Sequence, residues 1–353
     1  MTNTKPAAML ARSIRGPAFT LLVVSAFHLA LSAAPDAGQG PKPKDAPAQW
    51  KGLIGEFALN GDTIYVLEES QRLTLFMKRA DRQIPLREVA RNVYTVEVQT
   101  SLPDSVIVFE RHGNGRAVSF EMGRRTFKRL AIGGEDSSIF RIKPLKPIDI
   151  LRREALLARP PRENGSFLGN DLVDLTTLDP TIKLDIRYAT SRNFMGEALY
   201  SEAKAFLQRP AAEALLRAHR WLKQHGYGLL IHDAYRPWYV TKMFWDATPD
   251  DQKTFVANPS TGSRHNRGCA VDVSLYELRT GMPVEMVSRY DEFSDRAYPD
   301  YPGGTSLQRW HRALLRRAME REGFKVYEWE WWHFDYKDWR QYPIGTKTFE
   351  ELR

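Results

Sequence analysis

The sequence predicts an α+β chain in which a small antiparallel β domain precedes a larger domain of mixed strands and helices. Three observations lead there. From Trp50 to about Leu145 the apolar residues come in short β-rich runs separated by turn signals. Beyond that point extended and helical stretches alternate. At 353 residues the chain is too long for one typical domain and comfortable for two.

The β-rich runs fall at residues 63–67, 73–76, 93–98, 106–109 and 117–122, with turns supplied by Asn60-Gly61-Asp62 and His112-Gly113-Asn114-Gly115. A meander or barrel is therefore expected over 50–147. Through residues 109–111 and 128–130 it weakly resembles the small β domains appended to some penicillin-binding-type serine hydrolases. It carries no catalytic constellation, and positioning of the enzyme and plain stabilisation both stay open as its role. A helix at 148–159, entered from Pro147, is expected inside a linker spanning 148–164. The domain at 165–353 then reads as an extended start, a helix over 211–224, a core strand over 227–233, a helix after Pro237, a buried strand over 269–275, a helix over 307–322 and a last strand over 326–334.

Two segments of that second domain carry chemistry. In Ser263-Arg264-His265-Asn266-Arg267-Gly268-Cys269-Ala270-Val271-Asp272, a glycine-containing turn separates His265 from Asp272, and Asp272 falls within a run of small and β-branched residues. An ionised Asp inside a buried strand is costly without a partner. A metal is such a partner, since Zn2+ takes imidazole nitrogen and carboxylate oxygen, and a hydrolytic site keeps a fourth position for water. Glu330-Trp331-Trp332-His333 supplies a third ligand, His333, and a carboxylate, Glu330, free to act as general base. On a regular strand Glu330 and His333 face opposite ways, so a bulge or strand end is expected between them. A lone histidine or a tryptophan-rich strand is ordinarily core packing; the joint pattern is what points to a metal.

Several separate blocks together resemble the VanX-type D-alanyl-D-alanine dipeptidases, a branch of the zinc peptidases that also holds D,D-carboxypeptidases and the hedgehog-like fold. They are residues 187–196 (Arg-Tyr-Ala-Thr-Ser-Arg-Asn-Phe-Met-Gly), Asp233-Ala234-Tyr235-Arg236-Pro237, the His265/Asp272 motif, Ser288-Arg289-Tyr290-Asp291, and Glu330 to His333. The resemblance covers about half the chain, from about Asp171 to Tyr342. It implies a DD-peptidase-like catalytic domain with one Zn2+ held by His265, Asp272 and His333, and Glu330 as general base. It also implies that Arg236 stabilises the oxyanion. The residues agree, because Arg236 follows a core strand and precedes Pro237 with its fixed φ; a plain structural pair with Asp233 is the alternative. Asp291 is implied as the acceptor of a substrate ammonium, with Tyr188 and Ser263 as hydrogen-bonding helpers. From the residues alone, Asp291, Glu292 and Asp295 read as a solvated loop. Arg264 and Asn266 depart from the smaller or hydroxyl residues expected beside the first histidine, and Arg264 adds charge at the cleft mouth. Residues 249–262 lead into the motif as a lid or an ordinary linker, and Cys269 reads as core.

Composition frames this reading. Apolar residues at 42% and charged residues at 27% describe an ordinary globular protein. One cysteine excludes an intramolecular disulfide and a cysteine-based zinc site. Lys5, Arg12 and Arg15, an apolar stretch from Ala18 to Leu31 and small residues at Ser32-Ala33-Ala34 read as an export signal over 1–34, either cleaved or retained as an anchor. Its loss takes three positive charges and leaves about +5 of the formal +8. No basic stripe with interleaved aromatics suggests nucleic acid. Residues 35–49, rich in Pro, Ala, Gly and Lys, read as a flexible tether. The expected protein is thus exported, periplasmic or extracellular, acting on a small D-amino-acid dipeptide or a peptidoglycan fragment. The alternatives are a D,D-carboxypeptidase and a non-catalytic, zinc-stabilised wall-binding module.

Overall fold

The β-rich runs of the N-terminal half close on themselves. The computed structural model describes residues 40–97, 106–132 and 139–352, so the signal reading of 1–34 lies outside the described residues. After one helical turn, α1 (Ala48–Lys51), the strands β1 (Gly55–Leu59), β2 (Asp62–Glu69), β3 (Arg72–Met77), β4 (Arg82–Ala90), β5 (Val93–Val96), β6 (Val106–Arg111), β7 (Ala117–Met122) and β8 (Arg125–Arg129) follow in order. Each pairs antiparallel with the next, and β1 meets β8 at Phe57↔Arg129, which closes the barrel. Closure removes the free edges that short strands otherwise expose. Aromatic rings fill the interior, with Phe120 stacked on Phe127 at 4.8 Å and Phe57 edge-on to Phe120 at 5.1 Å. Three of the eight strands were not legible in the sequence. β4 carries Pro85 and buries only Ile84 and Leu86, β8 buries only Phe127, and β1 is short and opens on Gly55.

The second half is built on a five-stranded sheet. Its elements are α2 (Ile148–Leu157), β9 (Leu172–Asp174), the single turn α3 (Leu175–Leu178), β10 (Lys183–Leu184), β11 (Phe206–Gln208), α4 (Arg209–Gln224), β12 (Tyr227–Asp233), α5 (Trp238–Ala247), β13 (Ala270–Glu277), α6 (Ser306–Glu320), β14 (Phe324–Tyr327) and β15 (Glu330–Tyr336). The sheet runs β10-β12-β13-β15-β14, with β10 parallel to β12 and the other pairs antiparallel; β9 and β11 form a separate ribbon. β12 and the first seven residues of β13 are wholly buried. Their near-continuous apolar sequence reflects cover on both faces. α4 and α6 pack against each other, α4 on β12 and α6 on β13, β14 and β15. The helix expected in the linker is α2, and it packs on α5 through a face that buries Leu151 and Ala155.

The barrel is fixed to this sheet domain by buried carboxylates. Glu68 of β2 accepts hydrogen bonds from the backbone N–H (2.7 Å) and hydroxyl (3.2 Å) of Ser306, the first residue of α6. It thereby satisfies a donor that the helix leaves unpaired and adds negative charge at the positive end of the helix. Glu56 of β1, 3% exposed, is held by Arg296 through Nε at 2.9 Å and through Nη2, and by the Tyr301 hydroxyl. The tether reading does not extend to residues 40–49. Gly40 O accepts from Trp310 Nε1 at 3.0 Å, and Lys42 lies over the Tyr227 ring at 5.1 Å and 3.8 Å from Glu277. Proline and lysine made this stretch look unpacked, yet the Gly40 carbonyl oxygen and the Lys42 ammonium find partners on the sheet domain.

Burial works against ionisation of Glu56, but Arg296 and Tyr301 more than offset it and hold its carboxyl below the usual range. A depressed acid contributes stability above its unfolded pKa, and that contribution fades as pH falls through that value and below. Glu56→Gln is therefore expected to lower Tm at pH 7 by roughly 5 °C or more, and to flatten the loss of stability that the parent shows below about pH 4.5. Thermal melts of both proteins from pH 7 to pH 3 check this; superimposable curves would contradict it.

Candidate active site

Strand register brings two of the expected ligands together. In the β13/β15 pair Asp272 stands directly opposite His333, a separation at which side chains on the same face touch. His265 arrives from a short turn (His265–Arg267) that ends at Gly268 with φ 65°. A Cβ at Gly268 would lie 2.4 Å from Leu172 Cδ2. The turn therefore needs glycine both for its left-handed conformation and for space. The sequence placed Glu330 and His333 on opposite faces of a regular strand and expected an irregularity; the β14/β15 register shifts between Val326 and Tyr327, with Tyr327 opposite Glu330. Glu330 Oε2 consequently lies 3.7 Å from His333 Nδ1.

The three candidate ligand atoms converge within 4.8 Å of one another. His265 Nε2 is 3.3 Å and His333 Nδ1 is 3.1 Å from Asp272 Oδ1, and the two ring nitrogens are 3.1 Å apart. Each ring is oriented by its other nitrogen: His265 Nδ1 donates to Ala234 O at 2.6 Å and His333 Nε2 to Asp335 Oδ1 at 2.9 Å. Such outer acceptors fix the tautomer and turn the remaining lone pair inward. Asp272 Oδ2 accepts from the Tyr290 hydroxyl at 3.0 Å, whereas Oδ1 is buried without a hydrogen-bond partner. Two imidazole lone pairs and a carboxylate oxygen thus face one another and call for positive charge. The pKa shifts say the same. Burial pushes Asp272 up, yet the two imidazoles hold it well below the usual range; burial pulls His333 down, yet Asp335 and Asp272 push it up to about 10. The nitrogen, nitrogen and oxygen donor set fits Zn2+.

All eight residues singled out in the sequence line one cavity of about 370 Å3 around this cluster. Arg236 is held by Asp233 through Nε at 2.9 Å and Nη2 at 2.7 Å, and its Nη2 lies 3.9 Å from Asp272 Oδ2. The structural pair with Asp233 is therefore real, and it aims the guanidinium at the cluster. Glu330 keeps 18% of its side-chain surface open. Burial, reinforced by Asp272 and Asp291, pushes it up to about 8 against the pull of His333.

Asp291 is no solvated loop residue. It sits at φ 58°, a conformation unusual for a non-glycine residue. Its Oδ2 accepts from the Tyr188 hydroxyl at 2.7 Å, and burial pushes it up to about 7 against that hydrogen bond. Neighbouring Glu292 is also buried. Tyr188 is placed by Asn193, whose side-chain nitrogen donates to Arg187 O, Thr190 O and Glu197 O. Ser263 lines the cavity, but its hydroxyl accepts the His265 backbone N–H at 3.2 Å and so also shapes the turn. Asn266, read as a departure beside the cleft, points inward and ties Arg236 O (2.7 Å) to Thr241 Oγ1 (2.9 Å). Cys269 is core, its thiol pushed up to about 12 by burial. Residues 254–262 form one cavity wall, with Phe255 stacked on Phe293 at 4.7 Å. A larger groove, about 960 Å3, lies between barrel and sheet domain and contains none of the eight.

Two supporting residues were missed in the sequence. Asp335 had a signal, since it follows His333 by two on a strand and so shares its face. Tyr290 sat unremarked inside the Ser-Arg-Tyr-Asp block, and only the fold brings its hydroxyl to Asp272. Replacing Tyr290 with Phe is expected to weaken zinc binding about tenfold, as loss of an outer-shell partner does; chelator competition measures it, and unchanged affinity would remove Tyr290 from the site.

Residues 169–350 match the Peptidase_M15 family, described as D-ala-D-ala dipeptidase. A D-alanyl-D-alanine dipeptidase of Escherichia coli (strain K12) is 33% identical over 179 residues, which cover 51% of this chain and 91% of that protein. One from Enterococcus faecium is 34% identical over 189 residues, covering 48% and 92%. The solved LdcB LD-carboxypeptidase is 19% identical, covering 54% of this chain and 78% of its own, with a TM-score of 0.29. The barrel strands lie outside the matched span. With more than half of its length matched, and relatives covered almost from end to end, the chain belongs to the Peptidase_M15 family of D-ala-D-ala dipeptidases.

Proposed function

We propose that this hydrolase is a zinc-dependent dipeptidase that cleaves free D-Ala-D-Ala. The observation that carries this reading is the convergence of two inward imidazole nitrogens and one carboxylate oxygen beside Glu330, in a cavity that also holds Arg236 and Asp291. His265, Asp272 and His333 would hold the zinc, which when bound acidifies water and polarises a carbonyl.

The remaining chemistry belongs to the chain. Glu330 takes a proton from the attacking water as its oxygen bonds to the scissile carbonyl carbon. Arg236, already held by Asp233, needs no reorganisation to face the negative charge that develops on the carbonyl oxygen. As the C–N bond breaks, Glu330 returns the proton to the leaving nitrogen, so two free amino acids result. Asp291, oriented by Tyr188, receives the substrate ammonium, and Ser263 helps to shape the wall nearby. Holding the ammonium at a fixed distance from the reacting carbon limits the substrate to two residues.

We further propose export to the cell envelope, on the strength of Lys5, Arg12 and Arg15 followed by an apolar stretch and small residues. Among the described residues, no helix is long and apolar enough to cross a membrane. Scavenging or recycling of released dipeptide suits that location. The D,D-carboxypeptidase reading differs in one respect, tolerance of an acylated N-terminus.

Two measurements check the proposal. Glu330→Gln is expected to lower kcat by at least about 100-fold while the protein keeps its zinc; loss of zinc or folding would undermine the role of Glu330. The zinc-loaded protein is expected to hydrolyse D-Ala-D-Ala and leave N-acetyl-D-Ala-D-Ala intact. Cleavage of the acetylated form would make the carboxypeptidase the better reading, and cleavage of neither would contradict both.

A further inference from the structure

The cavity is charged at more than one place. Asp291 and Glu330 make part of it acidic, and three arginines also line it. Arg236 is bound to Asp233, and Arg267 is bound to Glu163 and Tyr342 O. Arg264 differs. Its Nε lies 3.3 Å from Asp335 Oδ2, and its guanidinium sits over the Tyr327 ring at 5.3 Å and the Trp339 ring at 5.2 Å. Among the described residues neither Nη1 nor Nη2 makes a hydrogen bond. The side chain is 35% exposed, so those nitrogens remain reachable.

This is a guanidinium fixed by one ion pair and two rings, with no hydrogen bond on its terminal nitrogens. Such a fork matches a carboxylate and, being held in advance, loses little freedom on binding it. Its place beside the cluster is set through Asp335, whose other oxygen holds His333 Nε2 at 2.9 Å. A terminal carboxylate stands one residue, about 3.8 Å of chain, beyond a scissile amide. A free dipeptide is a zwitterion, and Asp291 accounts for its ammonium alone.

We propose that Arg264 forms a subsite for the free carboxylate of the leaving residue and thereby selects peptides whose cleaved bond is the last one. This rests on the dipeptidase reading and extends it to the other end of the substrate. Arg264 supplies affinity and selection, while proton transfer stays with Glu330.

The test compares D-Ala-D-Ala with D-Ala-D-alaninamide, which lacks only the carboxylate charge. The parent is expected to favour the acid in kcat/KM by about 10- to 100-fold, the range of a charge-assisted pair. In Arg264→Gln that preference is expected to fall to near one, chiefly through KM, with zinc content kept. A drop shared equally by both substrates with the preference retained would overturn the proposal, since Arg264 would then act only through Asp335 and His333. A parent indifferent to the amide would overturn it too. Calorimetric binding to Glu330→Gln protein, with and without Arg264→Gln, separates this from failure of the dipeptidase reading. If the parent hydrolyses neither compound, that reading fails. An acid-over-amide binding preference that Arg264→Gln removes would still support the subsite, and one that it leaves intact would refute it.

Discussion

Three electron-pair donors pointing at one another, His265 Nε2, His333 Nδ1 and Asp272 Oδ1, are the constraint on which the rest of the structure depends. Without a cation only positive charge on the imidazoles offsets the carboxylate, and Asp272 Oδ1 is buried with no hydrogen-bond partner. The protein nonetheless invests heavily in keeping them there. Ala234 O and Asp335 hold the outer nitrogens, Tyr290 holds the second carboxylate oxygen, and Asp233 holds Arg236 near it. Nearly every polar group around the cluster has its orientation set by another. That pattern is expected where a cation is bound and where developing charge must meet fixed dipoles.

The fold supplies this geometry by cross-strand pairing. β13 contributes Asp272, β15 contributes His333 opposite it, and the register shift at the start of β15 brings in Glu330. The loops around them add His265, Arg236 and Asp291. The barrel stands outside the chemistry, yet Glu68 caps α6, which packs on β13, β14 and β15, and Glu56 holds Arg296 and Tyr301. It is therefore tied to α6 and to the Arg296 and Tyr301 segment of the sheet domain.

The candidate ligands and candidate base could be picked out because short-range spacing carries them: a turn glycine before a buried strand, and a carboxylate three residues ahead of a histidine. Core strands such as β12 announced themselves by continuous apolar sequence. What was illegible depends on long-range contact. The strands β1, β4 and β8 look too polar or too broken to be strands until barrel closure buries one face. Asp291 looks like loop polarity until Tyr188 reaches it across 103 positions of sequence. Lys42 and Gly40 look like tether until α6 and β13 offer partners. Arg264 showed as a departure, but its clamp between Tyr327, Trp339 and Asp335 needed the fold.

The central claim is that the cluster exists to hold a zinc ion. X-ray absorption at the zinc edge, together with metal stoichiometry of the purified protein, tests it most directly. The account predicts one zinc per chain, with two imidazole nitrogens and a carboxylate oxygen at about 2.0–2.2 Å, and loss of that signature in His333→Ala. Failure to retain zinc, or an unchanged spectrum in His333→Ala, would contradict it.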